Sequence, residues 1–177
     1  EAFAESMVLA GPGLAELWVK SPVEDLMLQV SLIELRPDNQ EYLIQTGWLR
    51  VGHQAHERSD DLRLNRSYRF EDFQDLPVNE WTKATVEIPS FAHPMREGSK
   101  LLVQISAPGR NHGTWQFEVP AYATEPSIQI GLGGAVASSL QLAVIPEVDI
   151  PAEYPPCPGL RGQVCRQHRS VENSSVE

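Results

Sequence analysis

Apolar and polar residues alternate along most of this chain, and that two-residue period constrains the fold more than any other property of the sequence. In "DLMLQVSLIEL" Leu26, Leu28, Val30 and Leu32 fall on one face of an extended segment, with Met27, Gln29 and Ser31 on the other. The spacing recurs at Ala84, Val86 and Ile88, at Leu101, Val103 and Ile105, and at Trp115, Phe117 and Val119. It returns at Ile128, Ile130 and Leu132, and at Leu140, Leu142 and Val144. With "LAELWVKSP" near the start and "EYLIQTGWLR" after the first strong strand, the pattern predicts about eight strands. Turn chemistry separates them: "RPDNQE", "REGSK" and "APGRNHG" carry the Pro, Gly and Asn residues that reverse a chain. A parallel sheet would need crossover helices of about ten residues or more, and almost no helical period is present. The predicted class is all-β, an antiparallel β-sandwich in which each strand needs only its inner face apolar.

Two stretches depart from this rhythm. Residues 51–77, "VGHQAHERSDDLRLNRSYRFEDFQDLP", form a long polar connection with no strand pattern and a short helix expected around Ser67 to Phe73. Connections of this length inside a compact domain are uncommon and often functional. From Pro151 onward the chain turns to Pro, Gly and polar residues, which predicts an extended tail packing on a sandwich of residues 1–150 and fraying after about residue 167.

The net charge of −10 removes nucleic acid from the partners expected, because phosphate binding needs a basic stripe. No apolar run approaches the roughly 18 residues that span a bilayer, so no membrane partner is expected either. No serine stands in G-x-S-x-G, and P-loop, H-E-x-x-H and G-x-G-x-x-G patterns are missing. The sequence therefore nominates no catalytic residue, metal ligand or cofactor. "GLGG" at 131–134 precedes another strand and reads as a turn or bulge. His53 and His56, followed by Asp60 and Asp61, read as a solvated loop; His93 before Pro94 is expected to satisfy a backbone group. Asn111 and His112 at a loop tip, with Trp115 beside them, are the candidate ligand-binding residues of a carbohydrate- or small-ligand module, the alternative function carried forward.

Three ordered stretches carry a resemblance. "LIELRPDNQEYLIQTGWLR", "VEIPSFAHPMREGSKLLVQISAPGRNHGTWQFEVP" and "SSLQLAVIPEVDIPAEYPPCPGLRGQVCR" resemble the C-terminal domain of X-prolyl dipeptidyl-peptidases and cocaine-esterase-like hydrolases. The resemblance implies a galactose-binding-like jelly roll with no catalytic residue of its own. It also implies a Ser-His-Asp machinery in a separate, preceding α/β-hydrolase domain, which would be the partner of this module. On that expectation the chain is a piece of a larger enzyme, and the 51–77 connection faces the partner domain, with His53, His56 and Arg58 as candidate contacts. Self-association through a sheet edge is a second expected partnership.

The two cysteines, Cys157 and Cys165, close "PPCPGLRGQVCR". The C-x7-C spacing does not match the C-x2-C of zinc knuckles or redox motifs, and two thiols cannot complete a tetrahedral site alone. Pro158, Gly159 and Gly162 let the segment fold back on itself, so a disulfide clipping the chain end is expected, with two free thiols as the alternative.

Overall fold

The computed structural model describes residues 1–55, 57–58 (backbone only), 62–109, 120–123, 125–146, 148–157 and 164–170. These residues form two antiparallel sheets and a small hairpin, with no α-helix among them. In the first sheet β1 (Met7–Lys20) pairs with β6 (Thr82–Met95) on one side. Its other side is shared by β8 (Gln129–Ile130) and β9 (Ser139–Ile145). The second sheet has the order β10 (Cys165–Gln167), β3 (Gln40–Arg50), β2 (Met27–Leu35), β7 (Lys100–Ser106). β4 (Glu57–Arg58) and β5 (Leu64–Asn65) make the hairpin.

The core lies between the sheets and follows the alternation. Leu26, Leu28, Val30 and Leu32 face Ala84, Val86 and Ile88, together with Ala15, Leu17, Val19, Ile44 and Leu49. All of these are buried, and their removal from water supplies the main drive to fold. The sheets close on one another where β3 meets β6. A side chain at Gly47 would run into the Glu87 carbonyl, so only glycine fits there.

Several elements differ from the expected strands. β1 begins seven positions before "LAELWVKSP", because its "GPG" is a bulge: pairing jumps between Gly11 and Gly13, and Gly11 takes a φ of 124°. β6 runs on through Pro89, which falls opposite that bulge, where no ladder hydrogen bond is needed. Val103 is 43% exposed, since β7 pairs on one side only among the described residues. The expected strand at 115–119 lies outside the described residues, as do 171–177 of the tail. β10 was not legible as a strand: it is three residues long and polar, too short to show a period.

The 51–77 connection is more ordered than its polarity suggests. It holds a 3₁₀ turn at Val51–His53, the β4–β5 hairpin and a second 3₁₀ turn at Phe70–Asp72. The last of these is all that forms of the short helix expected there. Leu76 enters the core.

Candidate functional site

Two polar constellations stand out, one toward each end of β6. The first begins with Glu34, which continues the inward-facing series Leu28, Val30, Leu32 and is fully buried. A carboxylate in that position must be neutralised or hydrogen-bonded, and its surroundings do both. His93 Nε2 on β6 lies 2.9 Å from Glu34 Oε2, and Ser99 Oγ donates to Oε1 at 2.7 Å. The Arg36 guanidinium stands 3.5 Å away. Burial pushes the Glu34 carboxyl up, but the His93 and Ser99 hydrogen bonds and the charges of His93 and Arg36 outweigh it, leaving the group below its ordinary value.

Around this centre the Arg36 guanidinium lies over the rings of Tyr42 and Tyr154, at 4.8 and 5.0 Å, and that of Arg96 lies over the Tyr154 ring at 5.0 Å. The cluster also grips the tail. Arg36 Nη1 donates to the Pro155 carbonyl at 2.9 Å, Arg96 Nε to the Pro151 carbonyl at 2.8 Å, and the Ser99 and Tyr154 hydroxyls are 2.9 Å apart. His93 thus meets a buried carboxylate, where a backbone group was expected.

Serine, histidine and a carboxylate together invite comparison with a hydrolytic triad, but the order is wrong. In a triad the imidazole contacts the serine and the carboxylate orients the imidazole. Here the carboxylate sits in the middle, bonded to both, and Ser99 has no exposed surface. The arrangement fixes positions and offers no nucleophile to solvent. Among the described residues no group of three or more His, Cys, Asp or Glu side chains is placed to hold a metal.

The second constellation holds the 51–77 connection. Arg66, buried, donates from Nη1 to the His53 carbonyl at 2.8 Å and from Nη2 to the Thr85 carbonyl of β6. Leu64 N–H donates to Glu87 at 3.2 Å. The Phe73 ring fills the space beside Gly52 that any side chain there would need, with His53 edge-on at 5.2 Å and the Arg50 guanidinium at 4.5 Å. With its underside held this way, the turn between Arg66 and Phe73 points apolar groups outward: Phe70 is 92% exposed and Tyr68 63%. Tyr68 also holds a φ of 51°, a left-handed conformation that costs a non-glycine residue energy.

Of the interface candidates, His53 is half-buried and packs between Phe73 and Tyr68, as a support beneath the exposed turn. His56 lies outside the described residues, and Arg58 is described only as backbone paired with Leu64. The ligand candidates Asn111, His112 and Trp115 also lie outside them. Cys157 and Cys165 stand sulfur to sulfur with Cα atoms 5.7 Å apart. Sequence reasoning missed Glu34 and Arg66. Glu34 had a signal, since it is in phase with Leu28, Val30 and Leu32; Arg66 had none, because nothing in a polar stretch marks which arginine turns inward.

Taken together, two antiparallel sheets closed over an apolar core, with Glu34, His93 and Ser99 bonded to one another in the interior, define a β-sandwich module. The chain belongs to the family described as the X-Pro dipeptidyl-peptidase C-terminal non-catalytic domain, whose family model matches residues 1–125. The fold is shared with a CocE/NonD family hydrolase from Staphylococcus aureus, at 20% identity and a TM-score of 0.70, over 82% of this chain and 30% of that one. An aminopeptidase from a marine sediment archaeon, Thaumarchaeota archaeon, matches at 15% identity and a TM-score of 0.60, over 82% of this chain and 25% of that one. An alpha-amino acid ester hydrolase matches at 16% identity and a TM-score of 0.62, over 82% of this chain and 24% of that one. The chain therefore spans less than a third of the length of these structures. Among curated proteins no match is found.

Proposed function

We propose that this domain packs against the catalytic α/β-hydrolase domain of a serine hydrolase acting on X-Pro peptides or acyl esters, and helps to shape substrate access. The observation that carries the reading is the family match over residues 1–125. Membership of a non-catalytic C-terminal family gives the module a role only beside a catalytic partner. The Arg66-anchored turn supports it from the structural side. A loop held by two backbone carbonyls, carrying Phe70 and Tyr68 outward, presents rigid aromatic surface of the sort that anchors protein interfaces. On this reading Phe70 and Tyr68 make the contact, and His53 sets their position.

The test is the native polypeptide. An antibody to this domain should detect a band roughly three to four times the mass of the chain, as expected for several domains of ordinary size. Immunoprecipitate of that band should cleave an X-Pro or acyl-ester chromogenic substrate that the 177-residue chain leaves intact. A native band at 19.7 kDa would overturn the proposal.

A further inference from the structure

We infer that Cys157 and Cys165 form a disulfide clasp that holds β10 on the edge of the second sheet, and that a dithiol reductant releases this strand while the sandwich stays folded. The clasp joins two differently anchored pieces of chain. On the Cys157 side, Tyr154 and Pro155 are gripped by Ser99 and Arg36 of the buried cluster. On the Cys165 side, β10 contributes three residues paired with Gln40, Glu41 and Tyr42 of β3.

Those three residues bring no apolar anchor. Arg166 and Gln167 are exposed, and Cys165 is half-buried. What holds the strand besides the sulfurs is polar. Leu43 N–H donates to Val164 O at 3.0 Å, and His168 N–H to Asn39 O at 2.9 Å. Arg166 and His168 converge on Glu41 at 2.5 and 2.6 Å. Glu41 is buried, but its partner Arg166 is 61% exposed, so solvent screens part of their attraction, and three residues on one side of β3 add few ladder bonds. A covalent loop this short, by contrast, confines the released strand by roughly fiftyfold. The tether is therefore the dominant restraint on β10.

The chemistry balances with a dithiol as the only co-reactant. Its thiolate attacks one sulfur, the S–S bond breaks, two electrons and two protons leave two cysteine thiols, and the reductant closes into its own disulfide. What becomes bare is the outer edge of β3, with the Leu43 N–H unpaired, and such an edge is a template for strand addition.

Residue-resolved amide exchange on the 177-residue chain tests this, with intact mass after alkylation counting thiols in each state. The expected result is one disulfide before reduction and two alkylated thiols after it. Exchange at the Leu43 and His168 amides should then rise roughly fiftyfold, with β1 and β6 unchanged. The Cys157→Ser and Cys165→Ser variants should reproduce the fast state without reductant. Two alkylated thiols before reduction would overturn the inference. So would unchanged Leu43 exchange with both thiols free. Loss of protection across β1 and β6 would also overturn it, because the bond would then staple the whole fold.

Discussion

Glu34 and Arg66 are both buried, ionisable and linked to β6, yet the sandwich accommodates them by different means. Glu34 is met by charges and a hydroxyl from the residue after β2, from β6 and from the turn before β7, namely Arg36, His93 and Ser99. Arg66 is met by two backbone carbonyls, His53 and Thr85. The first arrangement knits strands and tail into one interior. The second fixes a loop to the outside of a sheet that would exist without it. The difference separates a constraint on folding from a constraint on shape: the fold depends on the Glu34 cluster, whereas Arg66 decides only where Tyr68 and Phe70 point.

The sharpest way to break this contrast is to delete the two groups in turn. Glu34→Ala leaves the Arg36 guanidinium and His93 buried without their shared partner, and removing one side of a buried ionic set costs about 3–5 kcal/mol. Denaturant unfolding of the isolated domain should show that loss, with the Tyr154 contact to Ser99 weakened as well. A change under about 1 kcal/mol would mean that Glu34 is no more than an exposed ion pair would be.

Arg66→Ala should cost less, about 1.5–3 kcal/mol for hydrogen bonds made by a charged donor. Its effect should also be local. Amide exchange should quicken through residues 53–73 while β1 and β2 keep their protection. Equal loosening everywhere would erase the distinction between the two sites.

How far the sequence reveals each site follows from what each one uses. The sandwich was legible because alternation is repeated over many strands, and burying one face of each leaves few alternatives. Glu34 was half legible: its phase marks it as inward, but a Glu after Leu32 and Ile33 reads equally as the end of a strand. Its partners His93 and Ser99 lie 59 and 65 positions away, and only the packing of distant strands and turns brings them to it. Arg66 was illegible because the backbone carbonyls that hold it carry no side-chain signature. β10 was hidden for a similar reason, since three residues are too few to show a period.

Acid distinguishes the two sites by a smaller margin. The Glu34 carboxyl is held below its ordinary value in the folded state, so folding favours its ionised form. Its contribution is complete above the unfolded carboxyl pKa of about 4.3 and disappears as pH falls through the lower folded value. Unfolding free energy of the wild type should therefore drop below about pH 4.5, and Glu34→Gln should flatten part of that slope. Burial lowers the Arg66 guanidinium from its ordinary value, but arginine stays protonated throughout the working range. Arg66→Ala should shift the whole pH profile down without changing its shape between pH ~5 and ~9. A changed slope in that variant would show that its carbonyl contacts are coupled to a titrating group.

The smallest effect on the isolated domain is the most informative about its role. Phe70, at 92% exposure, has almost no contact to lose, so Phe70→Ser should alter stability by no more than about 0.5 kcal/mol. On the proposed function, this outward ring on the Arg66-anchored turn is the contact to the catalytic partner. In the larger hydrolase proposed above, the same substitution should weaken the contact between this domain and the rest of the polypeptide by about 1–2 kcal/mol, as for an aromatic anchor. Limited proteolysis between domains would read that change, with the Arg66→Ala variant giving a similar loss by misplacing the ring. If Phe70→Ser destabilised the isolated domain by more than 1 kcal/mol, the turn would belong with the Glu34 cluster as part of the fold. Unchanged proteolysis in both variants would instead place the partner contact on another face of the sandwich.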